Sequence, residues 1–164
     1  MTALTPAEAA ARLHPRDTLG LPLGPGQPPA FLQALGERTD WEDLRISSAL
    51  LTVLTPLFEH PGVHYLSGFF GPLERYLRDA DANLGFAAAD FRRMGPLLER
   101  AAPRVMATAA SPPDADGWCS LSLHNGGTAD ELARAGADPE RLLVVEVSEH
   151  FPRTRGTGDH RHAL

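Results

Sequence analysis

Arg153 lies in Pro152-Arg153-Thr154-x-Gly156, shortly after the apolar run Leu142-Leu143-Val144-Val145-Glu146-Val147. A guanidinium at the C-terminal end of a strand could clamp a carboxylate or phosphate with two parallel hydrogen bonds. It could equally tie down its own loop, and the residues alone leave both roles open. A second candidate is Ser111-Pro112-Pro113-Asp114-Ala115-Asp116-Gly117, which follows the apolar segment Val105–Ala110. Two prolines fix φ and remove backbone donors, so a strand must stop there. Asp114, Asp116 and Gly117 then supply turn chemistry, and the two aspartates read as turn formers rather than as an acid/base pair. A stiff acidic loop at a strand end is nevertheless where α/β proteins build sites. A third candidate is Gly24-Pro25-Gly26-Gln27, between an apolar segment and a helical one. Backbone N–H groups at that helix start could hold an anion or a carbonyl oxygen. A tight strand-to-helix turn is an equal reading, since the spacing is not Gly-x-Gly-x-x-Gly.

Other reactive residues carry less. Cys119 and His124 could be a nucleophile and base, but on one regular strand they would face opposite sides. Free cysteine is usually a small buried hydrophobe, and no electropositive setting to activate it is evident. Asp159-His160-Arg161-His162 offers a His-x-His without further ligands and reads as an exposed tail, so no metal site is expected. His60 and His64 flank Pro61-Gly62 as turn and strand residues. All 15 basic residues are arginines. The absence of lysine excludes a Schiff base, a Walker A lysine and a Ser-x-x-Lys pair.

These residues need a scaffold, and the pattern supplies one. Thr5-Pro6 with Glu8 starts a helix over residues 5–13. Thr18–Leu23, Leu44–Leu50, Val63–Ser67, Leu84–Ala88, Val105–Ala110, Trp118–Leu123 and Leu142–Val147 read as strands. Between them, helical stripes contain Phe31, Leu32 and Leu35; Leu73, Tyr76, Leu77 and Ala80; and Phe91, Met94, Leu97 and Leu98. A last helix spans Thr128–Ala135. Short apolar strands alternating with helices of this length predict an α/β fold: a mostly parallel open sheet flanked by helices.

The chain has 164 residues, 43% hydrophobic and 22% charged, so residues 1–164 fit a single α/β domain. A formal net charge of −6 without a basic cluster argues against nucleic acid as partner. No apolar run is long enough for a membrane helix, and the N-terminus lacks signal-peptide character. One cysteine rules out an internal disulfide and fits a reducing compartment, so cytoplasm is the expected location. The polar stretch from Arg153 to Leu164 looks like a cut rather than a finish.

Ser111-Pro112-Pro113-Asp114-x-x-Gly117-x-Cys119-Ser120-Leu121, then Glu146-Val147 and Pro152-Arg153-Thr154-x-Gly156, resembles the N-terminal half of the acetyl-CoA hydrolase/transferase family. These are the class I CoA-transferases that include 4-hydroxybutyrate and succinyl-CoA:acetate CoA-transferases. Weaker agreement runs through Gly24–Pro28 and through Phe69-Phe70-Gly71-Pro72 with Arg75. The family often has proline where this chain has Phe86, and asparagines where it has Ser148-Glu149-His150-Phe151.

The resemblance implies that Gly24, Gly26, Gln27, Ser111, Asp114, Arg153, Thr154 and Gly156 form one wall of an acyl pocket. It implies no cofactor; the CoA thioester is itself a substrate, alongside a small carboxylic acid. In the family a glutamate of a C-terminal catalytic domain attacks the thioester, forming an anhydride and then a glutamyl-CoA. Neither Glu146 nor Glu149 matches that nucleophile, so no catalytic residue is expected here. The expected partner is that C-terminal domain or a second subunit, and a face left uncovered without it would favour self-association. A non-catalytic α/β binding module or subunit is the alternative.

Overall fold

The computed structural model describes residues 3–124 and 127–154. Six strands form one sheet in the order β4-β3-β2-β1-β5-β6. They are β1 (Arg16–Gly20), β2 (Asp43–Ser48), β3 (Val63–Ser67), β4 (Leu84–Phe86), β5 (Val105–Ala110) and β6 (Leu142–Val147). Every pairing is parallel, as the alternation of strands and helices predicts. The helices are α1 (Pro6–Ala10), α2 (Pro29–Gly36), α3 (Pro72–Asp79), α4 (Phe91–Ala101) and α5 (Ala129–Ala137). None of the described helices is long and apolar enough to cross a membrane.

Alternation along each strand divides the core between the two sheet faces. Leu19, Leu44, Ile46, Val63, Tyr65, Val105 and Ala107 point to one face and pack with Ala10, Phe31, Leu32, Leu35 and Leu77 from α1, α2 and α3. On the other face, Met106 packs with Leu132 and Ala135 of α5, and Met94 and Leu98 of α4 pack on Ala49. That second layer is thinner, and Leu66 of β3 remains 43% exposed on it.

Local signals start the helices. Thr5 and Glu8 form a reciprocal capping box at α1, and Asp90 accepts from the Arg92 and Arg93 N–H groups to cap α4. The cap of α2 comes from far away. Pro28 and Pro29 have no donors, and the Ala30 and Phe31 N–H groups donate to the Glu146 carboxylate at 3.2 and 2.9 Å. Glu146 is therefore a tie from the edge strand β6 to α2, with its charge at the positive helix end. Glu146→Ala is expected to cost about 1–2 kcal/mol, read as a lower urea midpoint at unchanged slope.

Glu74 plays a similar part deeper in the molecule. Its fully buried carboxylate accepts from the Leu51 and Gly71 N–H groups, the Ser67 hydroxyl and the Tyr65 phenol. Burial pushes the Tyr65 phenol up, and the neighbouring carboxylate adds to the effect. This cluster pins the loops that follow β2 and β3.

One predicted element does not form. Trp118–Leu123 is a folded-back loop rather than a strand. The Ser111 N–H donates to the Ser120 carbonyl, the Ser120 N–H donates to the Ser111 hydroxyl, and Ser122 sits at φ 57°. Serine hydroxyls that bond nearby backbone compete with a ladder, and a left-handed residue breaks the alternation. β1 also begins earlier than expected and ends at Gly20, before Leu21-Pro22-Leu23.

Candidate functional site

The chain leaves β1 toward β2 and leaves β5 toward β6, in opposite directions along the sheet. Such a switch point opens a crevice beyond the carboxyl ends of the strands. The Gly24–Gly26 turn after β1 and the Ser111–His124 loop after β5 meet there, because the His124 ring lies flat against Gly26. A Cβ on Gly26 would fall 2.4 Å from the ring carbons Cγ and Cδ2. Gly24 is needed for another reason: its φ of +51° is left-handed.

Beside this contact lies a cavity of about 940 Å³. The loops after β1 to β5 and the start of α4 line it. Its wall is mostly apolar, with Leu23, Phe69, Phe70, Phe86, Met94 and Leu123 among the lining residues. The Phe70 and Phe86 rings meet edge to face at 5.6 Å. The charged lining groups are Asp90, which caps α4, and Arg93, which makes no ion pair with a described residue. His124 and Thr128 add polar atoms to the same wall.

His124 is 8% exposed. Its Nε2 lies 3.2 Å from both the Ala109 carbonyl oxygen and the Thr108 hydroxyl. A carbonyl only accepts, so Nε2 carries the proton and Nδ1 is left as an acceptor. Burial pushes the imidazole below its usual value, against a smaller upward pull from the Ala109 carbonyl. The ring is therefore neutral at pH 7.

The Gly24-Pro25-Gly26-Gln27 turn has its backbone donors engaged within the chain. Gly24 donates to the Ala49 and Leu50 carbonyls, Gly26 to Leu23, and Gln27 to Gly24. The Gln27 side chain is buried and bridges β1 to the loop after β2: its Nε2 donates to Pro22 and Ser48, and its Oε1 accepts from Thr52. The helix-start donors considered for an anion are taken by Glu146. Of this segment, Pro25 lines the cavity and Gly26 shapes it through His124.

Ser111, Asp114, Arg153 and Thr154 come together in a knot at the ends of β5 and β6. Arg153 donates to the Asp114 carboxylate at 3.1 Å and to the Pro112 and Trp118 carbonyls. Asp114 also accepts from the Asp116 and Trp118 N–H groups, and Gly117 closes the turn at φ 84°. The Thr154 N–H donates to the Ser120 hydroxyl, while Ser120 donates to Thr154 in return. Of the two roles open to Arg153, the geometry contains the loop tie. None of these four lines the cavity; they brace the loop that carries Leu123 and His124 into it.

Gly156 and the Asp159–His162 motif lie outside the described residues. Among the described residues, no group of three His, Cys, Asp or Glu side chains could hold a metal. His60 is a turn residue, its Nδ1 accepting from the Gly62 N–H. Cys119 is half-buried, and burial pushes its thiol up despite the nearby Arg153 guanidinium. A thiol held protonated is a poor nucleophile.

Periodicity could not find the cavity, because its wall is drawn from five separate loops. Two signals were present: the Phe69-Phe70 doublet ahead of Gly71-Pro72, and Phe86 standing where the resembling family has proline. His124 was hidden by the expected strand that placed it on a ladder.

The architecture is that of an all-parallel α/β domain with its cavity at the carboxyl edge of the sheet. No protein-family profile matches the sequence, and no curated protein sequence matches it. Solved structures match throughout. RipA from Yersinia pestis is 23% identical with a TM-score of 0.78, over 96% of this chain and 39% of that one. A point mutant of RipA is 25% identical with a TM-score of 0.81, over 96% of this chain and 38% of that one. A 4-hydroxybutyrate CoA-transferase from Porphyromonas gingivalis is 16% identical with a TM-score of 0.59, over 94% of this chain and 35% of that one. The chain thus shares their fold and spans about two-fifths of the length of the RipA chains.

Proposed function

We propose that this domain is the acyl-binding part of an acyl-CoA transferase or acetyl-CoA hydrolase, which moves CoA between an acyl-CoA and a carboxylic acid. The cavity at the switch point carries the reading. It is apolar enough for an acyl chain, Arg93 in its lining offers a cation for an acid's carboxylate, and the one lining carboxylate among the described residues, Asp90, caps α4. A covalent route through a carboxylate would then need its nucleophile from a partner domain or subunit. Fold likeness to a CoA-transferase supports the same assignment.

In this reading Gly26 sets the cavity floor through His124. Ser111, Asp114, Arg153 and Thr154 hold the adjoining wall, and Gly24 and Gln27 fix the turn beside it. The test is a binding titration of straight-chain acids from acetate to octanoate, run beside a mass-spectrometric assay of CoA transfer from acetyl-CoA. The 164-residue chain is expected to bind acids and to transfer no CoA alone. Turnover by the chain alone, or no saturable binding of any acid, would overturn the proposal.

A second reading is a non-catalytic binding module or subunit that pairs with a separate catalytic chain. Its support is the apolar rim of the cavity, where Phe69, Phe86 and Leu123 are 53%, 54% and 60% exposed. Such a rim fits a face covered by a partner, or by self-association in the partner's absence.

A further inference from the structure

Three of the chain's seven phenylalanines, Phe69, Phe70 and Phe86, line the cavity at the switch point. They come from two adjacent strand ends: Phe69 and Phe70 follow β3, and Phe86 closes β4. None of the three belongs to a core cluster of the described residues, whereas Phe31 and Phe58 do. The fold therefore does not need these rings to hold its sheet and helices together. The Phe70 and Phe86 rings meet edge to face, at an interplanar angle of 77°. The Arg78 guanidinium stands over the Phe70 ring at 5.7 Å, which braces that ring from the side of α3. Phe86 keeps about half of its surface open, as does Phe69. The wall is thus a braced pair of rings with aromatic surface left to offer.

An alkyl chain on such a wall gains only buried area. An aromatic ring gains more, because its edge and face carry opposite partial charge and match those of the rings it meets. It is also rigid, so it gives up less freedom than a flexible chain on binding. Arg93 offers the cation for one carboxylate. A second carboxylate would meet apolar side chains or the like charge of Asp90. The cavity, about 940 Å³, has ample room for a phenyl ring and a short linker. We infer that the cavity selects an aryl-substituted monocarboxylic acid, whose ring packs on Phe70 and Phe86 while its carboxylate pairs with Arg93. Phe70 and Phe86 are then specificity-determining residues. The inference rests on reading the cavity as an acyl pocket.

The test is calorimetric titration of the full chain with 3-phenylpropionate and 3-cyclohexylpropionate, with octanoate as reference. The two ring acids match in carbon count and differ in aromaticity. The saturated ring is the more apolar, so burial of area alone would favour it. The phenyl acid is instead expected to bind about fivefold more tightly, the gain of a well-placed aromatic contact. Phe86→Leu and Phe70→Leu, each checked for folding by thermal unfolding, are expected to bring that ratio close to one. Nuclear Overhauser effects should join the ring protons of bound 3-phenylpropionate to those of Phe86 in the native chain. A native chain without the phenyl preference, or a preference that survives both variants, overturns the inference. So does a preference without contact between the ligand ring and Phe86. In each case binding of octanoate leaves the acyl pocket standing. Failure of all three acids to bind overturns the acyl-pocket reading as well.

Discussion

Asp17→Ala is expected to lose about 3 kcal/mol of stability, the lower end of the cost of breaking a buried ion pair. The Asp17 side chain is 2% exposed and takes two guanidinium hydrogen bonds from Arg104, together with the His14 and Thr18 N–H groups. Arg104 is 31% exposed, so its orphaned charge can turn to water, which keeps the loss at the low end. The site is mechanically important as well. β1 and β5 pair over only Leu19↔Val105 and Gly20↔Met106, and the ion pair closes the seam just below them.

The pH dependence follows from opposing effects. Burial pushes the Asp17 carboxyl up, but Arg104 and the two backbone donors together hold it below its usual value. The folded state therefore favours the ionised form. Its contribution is full above the unfolded carboxyl's pKa, about 4, and disappears as pH falls through the lower folded value. Urea unfolding of native and Asp17→Ala chains should show a gap that is widest near pH 7 and narrows toward pH 3. A gap independent of pH would contradict the ion-pair account.

Gly26→Ala is expected to cost about 2–3 kcal/mol as overpacking and to abolish acid binding. The new methyl would meet the His124 ring at 2.4 Å. The ring has no easy retreat, because its far edge is held by Thr108 and the Ala109 carbonyl. Relief requires breaking those bonds or pushing the ring into the cavity, and either changes the floor. Unfolding midpoints read the first effect and calorimetric titration of octanoate reads the second. A stable variant with unchanged binding would mean that Gly26 does not shape the cavity.

The parallel sheet and its helices were legible because short apolar or alternating strands are interleaved with helical stripes, and at α1 and α4 with a local capping residue as well. The Asp114–Gly117 turn was legible for the same local reason: aspartate, glycine and proline act over a few residues. Trp118–Leu123 misled because its apolar positions alternate, while the serines between them bond backbone across the loop rather than leaving it free for a ladder. Glu146 was legible as a strand residue but not as a cap, since its partners lie at the other end of the chain. The site was the least legible part. Gly26 and His124 gain meaning only from their contact, and no local pattern joins a glycine turn after β1 to a histidine after β5.

The Glu146 clasp also bears on the order in which the molecule is completed. The Phe31 N–H and its acceptor are 115 positions apart. During synthesis β1 to β4 can pair with one another as they emerge, each needing only its neighbour. The start of α2, placed early in the chain, waits for the last strand to supply its counter-charge. Until β6 arrives, α2 is a short helix with two prolines at its head and no capping side chain, and such helices are marginal alone. The cap of α2, at the front of the chain, is thus completed only when β6 is in place.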